Sequence, residues 1–151
     1  MIKIICVGKI KEEYLRNAIK EYEKRLSKYT KLEIIECNDY GTLDVSTILE
    51  KEKDEILKYI GDKDYLVTLE IEGKEMDSVS FSKKLEQTFL TNSTITFVIG
   101  GSYGIHEDVK RKANFHLSFS QMTLPHQLFR VILLEQIYRS FKIMNNESYH
   151  K

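Results

Sequence analysis

Proline occurs once and glycine seven times in 151 residues, and no stretch gathers them with serine into a linker, a repeat or a low-complexity run. Cysteine is almost as scarce. Cys6 and Cys37 both lie in apolar, strand-like runs, which argues against a disulfide framework. Net charge is also lacking, with 23 Lys and Arg against 23 Asp and Glu. No global positive field can therefore hold nucleic acid by counterion release, and an RNA partner would have to be met by a local patch. The N-terminus, MIKIICVGKI, has neither the long apolar stretch nor the small-residue cleavage site of a secretory signal, so a reducing cytoplasm is expected. The chain is instead 42% hydrophobic and 30% charged, too apolar for disorder and too interrupted by charge for a membrane span. At this length one domain, residues 1–151, can bury about 70% of its unfolded surface without disulfide or metal staples.

Hydrophobic periodicity alternates between the strand and helix periods. Strands are predicted at Ile2–Val7, Leu32–Cys37, Tyr65–Ile71, Thr94–Ile99 and around Phe115–Phe119. Between them, Leu15, Ala18, Ile19, Tyr22, Leu26 and Tyr29 form one helical stripe. Ile48, Leu49, Ile56, Leu57 and Ile60, after a Ser46 cap, form a second that stops at Gly61. Glu72-Gly73-Lys74 reads as a turn, Ser78 or Ser80 starts a helix carrying Phe81, Leu85 and Phe89, and a polar helix follows around Glu107–Ala113. This order gives an α/β fold with a mostly parallel sheet of five or six strands and helices on both faces.

The last helix, Gln127 to Met144, is apolar around nearly its whole circumference, from Leu128 to Ile143. Such a helix is buried on every side. One face can pack on the sheet, and a second copy of the chain is the simplest cover for the other, so a homodimer is expected. The alternative is that the tail, Met144–Lys151, wraps back over that face.

Two irregular segments carry the candidate chemistry. Gly100-Gly101-Ser102-Tyr103-Gly104 follows a buried strand, where open α/β sheets bind ligands. A P-loop requires Lys then Ser or Thr after the last glycine, and Ile105-His106 stand there; the first strand offers only Gly8, too little for a dinucleotide fingerprint. The second segment runs from Ser118 to His126, where Pro125 suits a helix start and Thr123 could cap it. Its Phe119, Met122 and Leu124, with free backbone N–H and C=O groups, would suit an adenine ring. Beyond it, His126 and Arg130 share one helix face; Glu135, Arg139 and Lys142 lie about half a turn away, and Tyr149-His150-Lys151 closes the chain. Pro125–Lys151 carries four Arg or Lys against two acids, a modest patch for phosphate.

These segments resemble the SPOUT-class RNA methyltransferases, and within them the small type known as RlmH. The resemblance runs the length of the chain. It rests on Phe97-Val98-Ile99-Gly100-Gly101-Ser102-Tyr103-Gly104, Thr123-Leu124-Pro125-His126, Arg130-Val131 with Glu135-Gln136-Ile137-Tyr138-Arg139, and Tyr149-His150-Lys151. Ser102 and Tyr103 depart from the Pro or acid that often stands in the family's glycine turn. The resemblance implies a C-terminal trefoil knot, a homodimer, and S-adenosylmethionine contacted by Leu69, Gly100, Phe119, Ser120, Gln121, Met122, Thr123 and Leu124. It places His126, Arg130, Glu135, Arg139, Tyr149 and His150 near the target nucleotide. The implied reaction is methylation at N3 of a pseudouridine in a hairpin loop of 23S ribosomal RNA, on assembled ribosomes and without a metal. His126 and His150 are the candidate bases, Arg130, Arg139 and Lys151 the candidate phosphate ligands, and Tyr149 can stack on a base. A non-catalytic ribosome- or RNA-binding module of the same fold is the alternative.

Overall fold

The computed structural model describes residues 1–151. Five strands, β1 (Ile2–Val7), β2 (Leu32–Cys37), β3 (Tyr65–Glu75), β4 (Ile95–Ile99) and β5 (Phe115–Ser118), alternate with five helices. These are α1 (Glu13–Leu26), α2 (Val45–Lys58), α3 (Ser78–Phe89), α4 (Glu107–Lys112) and α5 (His126–Met144). The sheet is wholly parallel with strand order β2-β1-β4-β3-β5.

Alternation along the strands divides the core in two. Ile2, Ile4 and Cys6 of β1 and Ile95, Phe97 and Ile99 of β4 face a large cluster closed by α1, α3 and α5. Ile5, Val7 and Val98 point the other way, toward the smaller cluster that includes Ile56 of α2 and Val109 of α4. Burial on both faces explains why the strands read as nearly unbroken apolar runs. No helix is long and apolar enough to cross a membrane.

Three local expectations are corrected. Glu72-Gly73-Lys74 is no turn: β3 continues to Glu75, and its pairing with Leu117 jumps from Leu69 to Lys74. A Cβ on Gly73 would lie 2.9 Å from the His116 and Leu117 backbone, so the glycine signal marks a bulge where two strands touch. Asp44, not Ser46, caps α2, through Thr47. Thr123 caps nothing: Pro125 is the residue before the first turn of α5, which has no side-chain cap.

α5 packs on α1 and α3 as well as over the sheet, burying Leu133, Leu134, Ile137, Tyr138 and Phe141. Much of its apolar circumference is thus covered within one chain. The tail adds to this, since Tyr149 meets Tyr138 edge-on at 5.1 Å. Leu128 stays exposed, and Val131 and Ile132 are half-buried.

Candidate active site

β1 lies between β2 and β4, so the chain leaves β1 in one direction for β2 and the remaining strands lie on the other side. Ligands of open α/β sheets sit outside the carboxyl ends of the strands at such a switch point. Three segments meet there: Gly8 after β1, the glycine turn after β4, and the 119–125 loop after β5.

A cavity of about 490 Å³ opens between the glycine turn, Leu69–Ile71 of β3 and the 119–125 loop. Seven of the eight residues expected to contact a cofactor line it: Leu69, Gly100, Phe119, Ser120, Met122, Thr123 and Leu124. Gln121 does not; it is exposed on the outer side of the loop. The sequence offered no sign of Ile71, Leu117 or Phe129 as wall residues, because each also reads as ordinary core.

The turn is held tightly. Gly101 and Gly104 form an isolated bridge, Gly104 has φ +82°, and a Cβ on Gly100 would stand 2.5 Å from the Gly104 carbonyl oxygen. The loop is shaped from within by Ser120, whose hydroxyl accepts from the Met122 N–H at 3.0 Å, while Phe119 packs against Phe81 and Phe129. The Thr123 and Leu124 N–H groups have no acceptor in the chain, which leaves them for a ligand.

His126 stands at one end of this cavity. Burial, then the Arg130 charge, push its pKa below the usual 6.5, and Asp39 partly opposes them. The imidazole is therefore neutral at pH 7, able to accept a proton. Arg130 does not share this exposure. Its guanidinium is 2% exposed and bonds to Glu36 at 2.6 Å, the Gly8 carbonyl at 2.6 Å and the Val7 carbonyl at 3.0 Å. The expectation that Arg130 holds phosphate is corrected accordingly: it ties α5 to the end of β1.

Behind the glycine turn lies Glu52 of α2, 4% exposed, its carboxylate 3.2 Å from where a Gly101 Cβ would be. Burial, then Asp39 and Glu55, raise its pKa to about 7. Sequence reading missed Glu52 because a glutamate in a charged helix looks like surface; its i,i+4 spacing from Ile48 and Ile56 was the available signal. Both thiols are inert, with burial raising Cys6 to about 12 and Cys37 to about 11.

Glu135, Arg139, Tyr149 and His150 form a separate cluster. Arg139 donates to Glu135 at 2.8 Å, lies 3.1 Å from His150 Nδ1, and sits over the Tyr149 ring at 4.8 Å. None of the four lines the cavity, and Lys151 is exposed beyond them. Within one chain, the two groups of expected site residues are not brought together. No group of three or more His, Cys, Asp or Glu side chains is placed to hold a metal ion.

A family model described as "Predicted SPOUT methyltransferase" matches residues 1–150. The chain belongs to the SPOUT methyltransferase family. This SPOUT methyltransferase is 55% identical to a Clostridium botulinum (strain Okra) protein named ribosomal RNA large subunit methyltransferase H, with 99% of each chain covered. The strain Langeland protein of the same name is 54% identical with the same coverage. A solved methylase family protein from Haemophilus influenzae shares the fold with a TM-score of 0.56 at 14% identity, covering 99% of this chain and 70% of that one. The cavity is therefore a candidate methyl-donor site of a SPOUT methyltransferase.

Proposed function

We propose that this protein, a single domain, transfers a methyl group from S-adenosylmethionine to N3 of a pseudouridine in a hairpin loop of 23S ribosomal RNA, acting on assembled ribosomes in the cytoplasm. The relatives' names supply the ribosomal RNA target. The observation that carries the reading is the 490 Å³ cavity at the carboxyl ends of β4 and β5, walled by the glycine turn and the 119–125 loop. Its Phe119, Met122 and Leu124 offer apolar contact, and the Thr123 and Leu124 N–H groups offer the donors an adenine edge requires. The residues present fit S-adenosylmethionine.

When bound, that donor supplies an electrophilic methyl group on a sulfonium. The chain's task is then chiefly alignment, which contributes on the order of 7–11 kcal/mol in well-oriented reactions. Methylation at N3 would leave the chain's own residues one proton to take, that of the N3–H, through a base. His126, neutral and at the cavity's end, is the better placed of the two candidate histidines within one chain. His150 instead stands by Arg139.

The separation of the Glu135, Arg139, Tyr149 and His150 cluster from the cavity supports a homodimer in which the tail of one copy approaches the cavity of its partner. Exposed Tyr103, Met122 and Leu128, all beside the cavity or the start of α5, are apolar surface a second copy would cover. We further propose that the 119–125 loop and α5 thread as a trefoil knot, which would fix the loop against the glycine turn. Isothermal calorimetry tests the core of this reading: S-adenosylmethionine should bind at one site per chain, in preference to ATP or NAD. A folded protein that binds no donor would leave the non-catalytic RNA-binding module.

A further inference from the structure

A second cleft, of about 390 Å³ and with no hydrophobic residue in its lining, shares His126 with the donor cavity. Lys9, Lys11 and Glu12 after β1, Asp39 after β2, and His126 and Gln127 of α5 line it. His126 lines both spaces. Gly8, with φ +86°, stands between Asp39 and His126: a Cβ there would make ordinary contact, 3.9 Å from Asp39 Cβ and 4.0 Å from His126 Nε2, and it is the backbone conformation that calls for glycine.

None of these six polar side chains has a hydrogen-bond or ion-pair partner within the chain. Elsewhere the charged groups around the sheet are paired, as in Lys3–Asp64, Arg130–Glu36 and Arg139–Glu135. Six unpartnered polar groups lining one cleft, next to an apolar donor cavity, are the composition of a polar substrate site. The two helices bordering it, α1 and α5, are also the two without side-chain caps, so their first N–H groups are not bonded by a capping side chain.

We propose that this cleft receives the target nucleotide, with the imide edge of a uracil-type base on Asp39 and His126 and the flanking phosphates of the single strand on Lys9 and Lys11. The proposal rests on the functional reading above and deepens it. A uracil-type ring presents an N–H donor between two carbonyl acceptors. Asp39 can only accept from that donor, the neutral His126 ring has one accepting nitrogen for it, and Gln127 offers an N–H to a carbonyl. The donor cavity and the cleft share His126, so a base seated in the cleft borders the donor cavity. Exposed lysines without carboxylate partners suit phosphates, which position a strand without reading its sequence.

The test compares wild type with Lys9→Ala/Lys11→Ala and Lys9→Arg/Lys11→Arg in radiolabelled methyl transfer to ribosomes at several salt concentrations. Donor affinity, measured by calorimetry, should be equal in all three, which also establishes that each is folded. The alanine pair should raise KM for ribosomes at least tenfold. It should also lower the slope of log KM against log salt by about 1.4, at about 0.7 per single-strand phosphate. The arginine pair should restore both. Active wild type with an alanine pair matching its KM and salt slope would overturn the cleft alone. Wild type that binds donor yet transfers no methyl group to ribosomes would overturn the functional reading and the cleft's occupant with it.

Discussion

Gly100 has room for nothing larger than hydrogen, because the Gly104 carbonyl oxygen and carbon and the Ile105 side chain occupy the space a Cβ would need. Gly100→Arg should therefore displace the turn and abolish donor binding in the same calorimetric titration, while the fold, measured by circular dichroism, survives. Glu52 presents the opposite case, a group whose charge the site strains against. Its folded pKa, about 7, stands above the usual carboxylate value, so its contribution to stability is full below about pH 4.5 and is lost as pH rises through 7. Glu52→Gln should consequently stabilise the protein at pH 8 by on the order of 1 kcal/mol, or about 2–4 °C in Tm, and change little at pH 4. Thermal melts at the two pH values check this; an equal shift at both would contradict it. The glycine turn was legible in the sequence because its spacing is local. Glu52 and Asp39 were not, since their meaning depends on which strand ends the fold brings together.

At the scale of elements, periodicity located all five strands and all five helices, because each needs one buried face and the pattern records it. It erred where backbone meets backbone. Gly73 was read as a turn because glycine signals both a turn and a close strand contact, and only the pairing of β3 with β5 distinguishes them. The Arg130–Glu36 pair shows a similar limit: a lone arginine on an amphipathic helix gives no sign that its target is the end of β1. That pair joins α5 to β1 and β2, and it holds His126 one turn away. Glu36→Ala should leave the Arg130 charge buried and only partly satisfied, costing about 3 kcal/mol in urea denaturation. Since Glu36 is partly exposed, Glu36→Gln should cost clearly less.

At the scale of the molecule, the sequence conveyed the parallel α/β architecture through the order of its elements, and the family through four separated segments. What it could not convey was distance. The His126 side of the site and the Tyr149-His150 tail stand at opposite ends of α5, which is the ground on which a homodimer is proposed. His150→Ala should leave donor affinity unchanged and lower kcat for ribosomes at least tenfold. Normal turnover would remove the tail from the active site. Coexpression of inactive Gly100→Arg and His150→Ala chains should restore some activity in mixed dimers, since one of the two composite sites would be intact.

The most direct measurement is transfer of a radiolabelled methyl group to assembled ribosomes, comparing particles that carry pseudouridine in the target loop with particles that carry unmodified uridine there. The account predicts stoichiometric labelling of 23S ribosomal RNA in the first and strongly reduced labelling in the second. Absence of labelling in both, by a protein that binds S-adenosylmethionine, would contradict it.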